Sequence, residues 1–182
     1  MTIIFANAQD EDCSRLPLIW RNIAFDRLIE IRPNSVNWED EVNNALMNEN
    51  DTLILVGHGT DNGLLFPNFY SGEYIIHENN IDLVHAKNVI CVWCYAHEFC
   101  TKHNLNWFAT SMVISNYVES LINHIVATDK EIKSANISLW NDLNYLISNN
   151  IDIMLFGNYL ISHVDRSNSV DIFNRNIFQK IR

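Results

Sequence analysis

Two short runs, Thr52–Val56 (TLILV) and Asn88–Trp93 (NVICVW), are apolar at almost every position. A strand with one face in water alternates apolar and polar residues, whereas a strand covered on both faces does not. Both runs are therefore expected to be central strands of a parallel sheet. Such a sheet needs helices to connect its strands and cover its faces. The rest of the chain supplies them. Thr2–Ala8 (TIIFANA) reads as a first strand and Leu28–Ile31 as a short second one. Trp38–Met47 reads as a helix, with Ser35 or Asn37 to cap it and Glu39, Asp40 and Glu41 at the positive end of its dipole. Leu16–Phe25 reads as a helix with Pro17 in its first turn. Tyr95–His103 and Ile132–Ile147 are also expected to be helical, and Trp107–Met112 to be a further strand. Val113–Ile125 carries Ile114, Tyr117, Leu121, Ile122 and Ile125 at amphipathic spacing. The chain from Ile151 onward has no clear period. The expected class is α/β, a mostly parallel central sheet flanked by helices.

With 182 residues, five Gly and three Pro, the chain holds no linker-like stretch, and one domain over 1–182 is expected. Its core should span about 2–127, followed by a helical and strand extension over 128–182. There are 12 Lys+Arg against 22 Asp+Glu, a net charge of −10. That balance argues against nucleic-acid and anionic-membrane partners, both of which are held by positive charge. The amino terminus, MTIIFANAQDED, has no basic region ahead of its apolar stretch, unlike a secretory signal. Ile151–Val164 is broken by Asp152, Asn158 and His163, and falls short of the roughly 20 residues of a spanning helix. Of four cysteines, Cys91, Cys94 and Cys100 fall within ten residues, unlike a disulfide framework. A cytoplasmic protein with free thiols is expected.

In a parallel α/β sheet, functional groups collect beyond the carboxyl ends of the strands. TLILV runs into Gly57-His58-Gly59-Thr60-Asp61-Asn62-Gly63, and NVICVW runs into Cys94-Tyr95-Ala96-His97. If the two strands are neighbours, His58 and Cys94 face one crevice. A thiol becomes a strong nucleophile when an imidazole takes its proton, and the imidazole can return that proton to a leaving amine. The Gly59 and Cys94 amides are candidate donors to an oxyanion, the latter at the start of a helix. Asp61 is a candidate to orient His58, and His97 a spare group for tuning Cys94.

An apolar strand ending in His-Gly, followed by an apolar strand ending in Cys, with the GEYIIHENN segment between, resembles the caspase-like (clan CD) cysteine peptidases. These include caspases, metacaspases, separase, gingipains and CHAT domains. The resemblance covers Thr52–Gly63 and Asn88–Cys100, and the Phe108–Glu119 block looks like the strand and helix that follow the nucleophile. It implies a three-layer caspase-like sandwich, a His58/Cys94 dyad that cleaves a peptide bond through an acyl-enzyme, and an oxyanion hole from Gly59 and Cys94. Arg15 lies where a caspase arginine contacts substrate aspartate. Val92 and Trp93 replace the family's specificity residues before the cysteine, so neither Asp nor Arg/Lys cleavage is implied. The implied partners are a protein or peptide substrate and a regulatory protein.

An alternative on the same fold is a weakly active or inactive binding or regulatory module. A third reading takes Cys91, Cys94, His97, Cys100 and His103 as metal ligands, but Cys91 falls inside a strand, and structural zinc sites draw ligand pairs from separated segments. No metal and no cofactor is expected.

Overall fold

The structure, a computed structural model, describes residues 1–176 of the 182. In chain order come β1 (Thr2–Ala6), a 3-10 helix (Cys13–Trp20), β2 (Arg27–Ile31), α1 (Trp38–Asn48), β3 (Thr52–Val56), β4 (Gly59–Thr60), β5 (Gly63–Leu65) and β6 (Tyr74–Ile76). After a 3-10 turn (Ile81–Leu83) follow β7 (Asn88–Val92), α2 (Ala96–Lys102), β8 (Phe108–Ala109), α3 (Tyr117–Ile122) and α4 (Asp129–Ser148). A 3-10 turn (Ile153–Leu155), α5 (Phe156–Ser162) and α6 (Ser169–Asn176) complete the described residues. The chain divides into two compact units, Met1–Cys13 with Ala24–Ser111, and Ser14–Ile23 with the chain from Met112 onward.

The first unit is an α/β layer structure. Its five-stranded sheet has the order β2-β1-β3-β7-β8, and every pairing is parallel. β1 is buried throughout, as are β3 and β7 beyond their first residue, in line with their unbroken apolar sequence. β2 alternates buried and exposed residues over its last three positions, as suits a strand at the sheet edge. One face of the sheet packs Ile4, Leu53, Leu55, Val89 and Cys91 with Val42, Ala45 and Leu46 of α1 and Ala96 and Phe99 of α2. Between β3 and β7 the chain makes a small antiparallel sheet, β4-β5-β6, whose Leu64, Ile75 and Ile76 join the same core. Gly57 lets the end of β3 come close to β1: a Cβ there would lie 2.7 Å from both Cβ and O of Ala6.

In the second unit α4 buries Ile132, Ala135, Asn136, Leu139, Trp140, Leu143, Leu146 and Ile147, a stripe of helical period. Its amino end carries a capping box: the Glu131 amide donates to Thr128 Oγ1, and the Thr128 amide donates to Glu131 Oε2. Thr128→Ala is expected to cost about 1 kcal/mol in urea unfolding. A loss within error of zero would mean that packing alone fixes this helix start.

Several local expectations are corrected. Asn37 precedes α1 in the left-handed region (φ 57°) without a side-chain cap bond, and Ser35 Oγ accepts the Arg32 amide instead. Leu16–Phe25 is not an α-helix. The segment is 3-10 over Cys13–Trp20, with Pro17 inside, where the missing N–H weakens α-helical bonding. The Val113–Ile125 helix shrinks to α3, because Asn116 accepts the Glu119 amide as an N-cap and His124 takes φ 57° just beyond the end. Ile114 is buried outside that helix, its amide donating to Asn174 Oδ1 at 2.8 Å. Tyr117, Leu121 and Ile122 are 51%, 51% and 70% exposed, so they do not form the expected apolar face. β8 keeps only Phe108 and Ala109 of Trp107–Met112: the Thr110 amide still donates to the Cys91 carbonyl at 3.0 Å, but the Thr110 carbonyl accepts the His97 amide of α2 at 2.8 Å and leaves the ladder. Among the described residues, the chain beyond 128 is helical and has no strand. Among the described residues, no helix is long and apolar enough to cross a membrane.

Candidate functional site

The register of the central strands brings the two motifs to one edge. Val56 pairs with Val92 in the parallel β3–β7 ladder. His58 and Cys94 each lie two residues beyond that rung, at the carboxyl ends of adjacent strands. The Gly57 amide donates to the Val92 carbonyl at 3.1 Å and carries the contact past the ladder.

His58 occupies the turn between β3 and β4, and the Leu65 amide donates to its carbonyl at 2.9 Å. Its side chain is 28% exposed. Nε2 lies 2.8 Å from Asp10 Oδ2, and Phe69 meets the imidazole edge-on at 5.1 Å. Asp10 follows β1. Sheet order reverses direction at β1, which carries β2 on one side and β3 on the other. The His58–Asp10 pair therefore spans the crevice at the topological switch point, the place where α/β sheets bind ligands.

Asp10 is fixed from its other oxygen. Oδ1 accepts the Cys13 amide at 2.8 Å and so caps the start of the 3-10 helix. Burial would raise the Asp10 carboxyl, but the Cys13 amide and His58 outweigh it and hold the group below its ordinary value. The acid that orients His58 is thus Asp10. Asp61, the sequence candidate, is an exposed residue in the turn between β4 and β5.

Cys94 stands out among the thiols by exposure. All four cysteines are free, and Cys13, Cys91 and Cys100 are buried while Cys94 is half-buried. Burial pushes Cys13 up to about 12, with Asp10 and Asp12 adding to the rise. Burial also pushes Cys91 well above its ordinary value, and the adjacent Cys100 thiol adds to it. Both are poor thiolates. α2 begins at Ala96, so Cys94 sits in the turn before it rather than in its first helical turn. Tyr95 between them has φ 67°, a left-handed conformation that is uncommon for an aromatic residue. Strain of this kind, about 1–3 kcal/mol, concentrates at functional turns.

Gly59 begins β4 and pairs with Leu64. A Cβ there would lie 2.1 Å from the Trp93 ring, so the indole beside Cys94 dictates the glycine. The Trp93 Nε1–H donates to the Thr60 carbonyl at 3.2 Å, which ties the turn that holds Cys94 to the turn that holds His58. His97 lies on α2, where its amide donates to the Thr110 carbonyl at 2.8 Å. Arg15 lies in the 3-10 helix and belongs to the second unit. Glu98 Oε1 accepts the Ser111 hydroxyl at 2.8 Å, and its buried Oε2 has no hydrogen-bond partner among the described residues.

No family model matches this chain, and comparison with curated proteins and with solved structures finds no match. A cavity of about 670 Å³ opens in the same unit, lined by Trp38, Glu73, Tyr74, His77, Lys102 and His103 among others. Neither His58 nor Cys94 lines it, and its walls bring together no nucleophile–base pair. Among the described residues, the side chains that converge at metal-ligand spacing are Asp10, Cys13 and His58, not the Cys91–His103 run.

Proposed function

We propose that this chain is a cysteine peptidase of the caspase-like kind, with Cys94 as nucleophile, His58 as base and Asp10 as the residue that positions His58. The observation that carries this reading is the shared rung: His58 and Cys94 each follow the Val56–Val92 pair by two residues. An ionised Asp10 beside Nε2 selects the tautomer with its proton there and leaves the Nδ1 lone pair for the thiol proton. The thiolate attacks the peptide carbonyl carbon, and the oxyanion takes donors from the Gly59 and Cys94 amides. The Nδ1 proton then passes to the leaving amine as the C–N bond breaks. Water hydrolyses the resulting thioester with His58 again as base. A parallel sheet with helices, and a small antiparallel sheet after the histidine, suit a caspase-like sandwich.

Thiol alkylation tests the site without a known substrate. Iodoacetamide or a peptidyl acyloxymethylketone should label Cys94 first, read by peptide mass mapping, and His58→Ala should slow that labelling by at least about tenfold. Labelling of Cys94 at the rate of a buried thiol, unchanged in His58→Ala, would favour the binding-module reading instead.

A further inference from the structure

The His58–Asp10 pair has a third neighbour that the peptidase reading does not use. The Cys13 thiol is fully buried and its Sγ lies 3.7 Å from the Ala6 carbonyl. One ligand atom each from Asp10, Cys13 and His58 lie within 4.8 Å of one another. Nitrogen, sulfur and oxygen from three separate points of the chain make a mixed donor set of the kind zinc takes, with a fourth position left for water. Bonds of about 2.0–2.3 Å in a tetrahedral site set the ligand atoms roughly 3.3–3.8 Å apart. The Nε2–Oδ2 pair, at 2.8 Å, would open by about 0.5–1 Å, and the sulfur, within 4.8 Å of the other two ligand atoms, would close in by up to about 1–1.5 Å. The supporting contacts are already made: the Cys13 amide holds Asp10 Oδ1, and the Leu65 amide holds the His58 backbone. Side-chain exposures of 28% for His58 and 37% for Asp10 leave a way in from solvent.

We infer that Asp10, Cys13 and His58 form a zinc site that silences the base of the proposed dyad. Zinc takes the place of the proton between Nε2 and Asp10 Oδ2. The neutral imidazole keeps its single proton, now on Nδ1, and the Cys13 thiol proton passes to solvent. With Nδ1 protonated, His58 has no lone pair to accept the Cys94 proton. The silencing rests on the peptidase reading, whereas the metal binding does not.

The test uses zinc and cobalt(II) salts with the full chain. Calorimetry should show one zinc per chain, and cobalt(II) should give a thiolate-to-metal charge-transfer band. That band should persist in Cys94→Ser and vanish in Cys13→Ser, with zinc affinity falling at least about 100-fold in the latter. X-ray absorption of the zinc-loaded wild-type chain should show a single sulfur among the ligands, which decides the point even if Cys13→Ser fails to fold. Zinc should slow Cys94 alkylation at least about tenfold, and chelation should restore it. Absence of binding, a shell without sulfur, or a band lost in Cys94→Ser but kept in Cys13→Ser would overturn the proposal. Failure of the peptidase reading would instead show as slow Cys94 alkylation before any metal is added, with the cobalt spectrum unaffected.

Discussion

Cys94→Ala is expected to abolish hydrolysis of a fluorogenic peptide library, and Asp10→Asn to lower kcat by about 10²–10⁴-fold with little change in KM. The first loss is total because the other three cysteines are buried and cannot substitute. The second follows from the tautomer. Asparagine can present its NH₂ group to Nε2, which would place the imidazole proton on Nδ1, where the base is needed. Asp10→Ala would lose orientation but leave both tautomers open, so it should be less harmful than the near-isosteric Asn. This ordering separates a positioning carboxylate from a merely structural one, for which Ala would be worse. The pH dependence has a definite sign. Asp10 is held below its ordinary value of 3.8, so its support of His58 is present above that value and is lost as pH falls through the depressed one. Between about pH 5 and 8 the rate should therefore not report Asp10. Full activity in Cys94→Ala would sink the peptidase reading, and equal activity in Asp10→Asn and wild type would remove Asp10 from it.

The placement of His58 and Cys94 at neighbouring strand ends was legible because each follows an apolar strand, and period and burial are local properties of sequence. Asp10 was not legible. Its role depends on β1 lying beside β3, and on the Cys13 amide fixing the carboxylate, neither of which any spacing encodes. Asp61 looked better because it is near His58 in sequence, but the Thr60–Gly63 pairing turns it into an exposed loop. The α3 region failed for a similar reason. Ile114 fits an amphipathic helix, yet Asn174, sixty residues away, bonds both its amide and its carbonyl. A polar side chain that satisfies backbone groups at such a distance outweighs helical period, and the apolar residues beyond it are left exposed. Cys13 is likewise an unremarkable cysteine until the fold brings it to His58.

The second unit hides a larger effect behind an ordinary residue. Arg175→Ala is expected to cost about 3–5 kcal/mol, a large share of the roughly 5–15 kcal/mol that holds a domain together. Arg175 is 1% exposed, and its guanidinium is enclosed by bonds. Nε donates to Asp171 Oδ1 at 2.8 Å, Nη1 to Asp142 Oδ2 at 2.6 Å and to the Leu160 carbonyl at 3.2 Å, and Nη2 to Ser138 Oγ at 2.9 Å. These bonds join α6, α4 and α5 through one side chain. The pair itself gains little over an apolar filling, because desolvating two charges offsets most of their attraction. Removing one partner is different. Asp171 is also 1% exposed, and in Arg175→Ala it would keep a buried negative charge with, among the described residues, the Asp165 amide at 2.7 Å as its remaining partner. The double variant Arg175→Met/Asp171→Leu should therefore recover much of what the single variant loses. Urea unfolding followed by fluorescence would read both, with Trp140 of α4 reporting from the same unit. A single-variant loss below about 1 kcal/mol would mean that water reaches Asp171 and the network is not sealed.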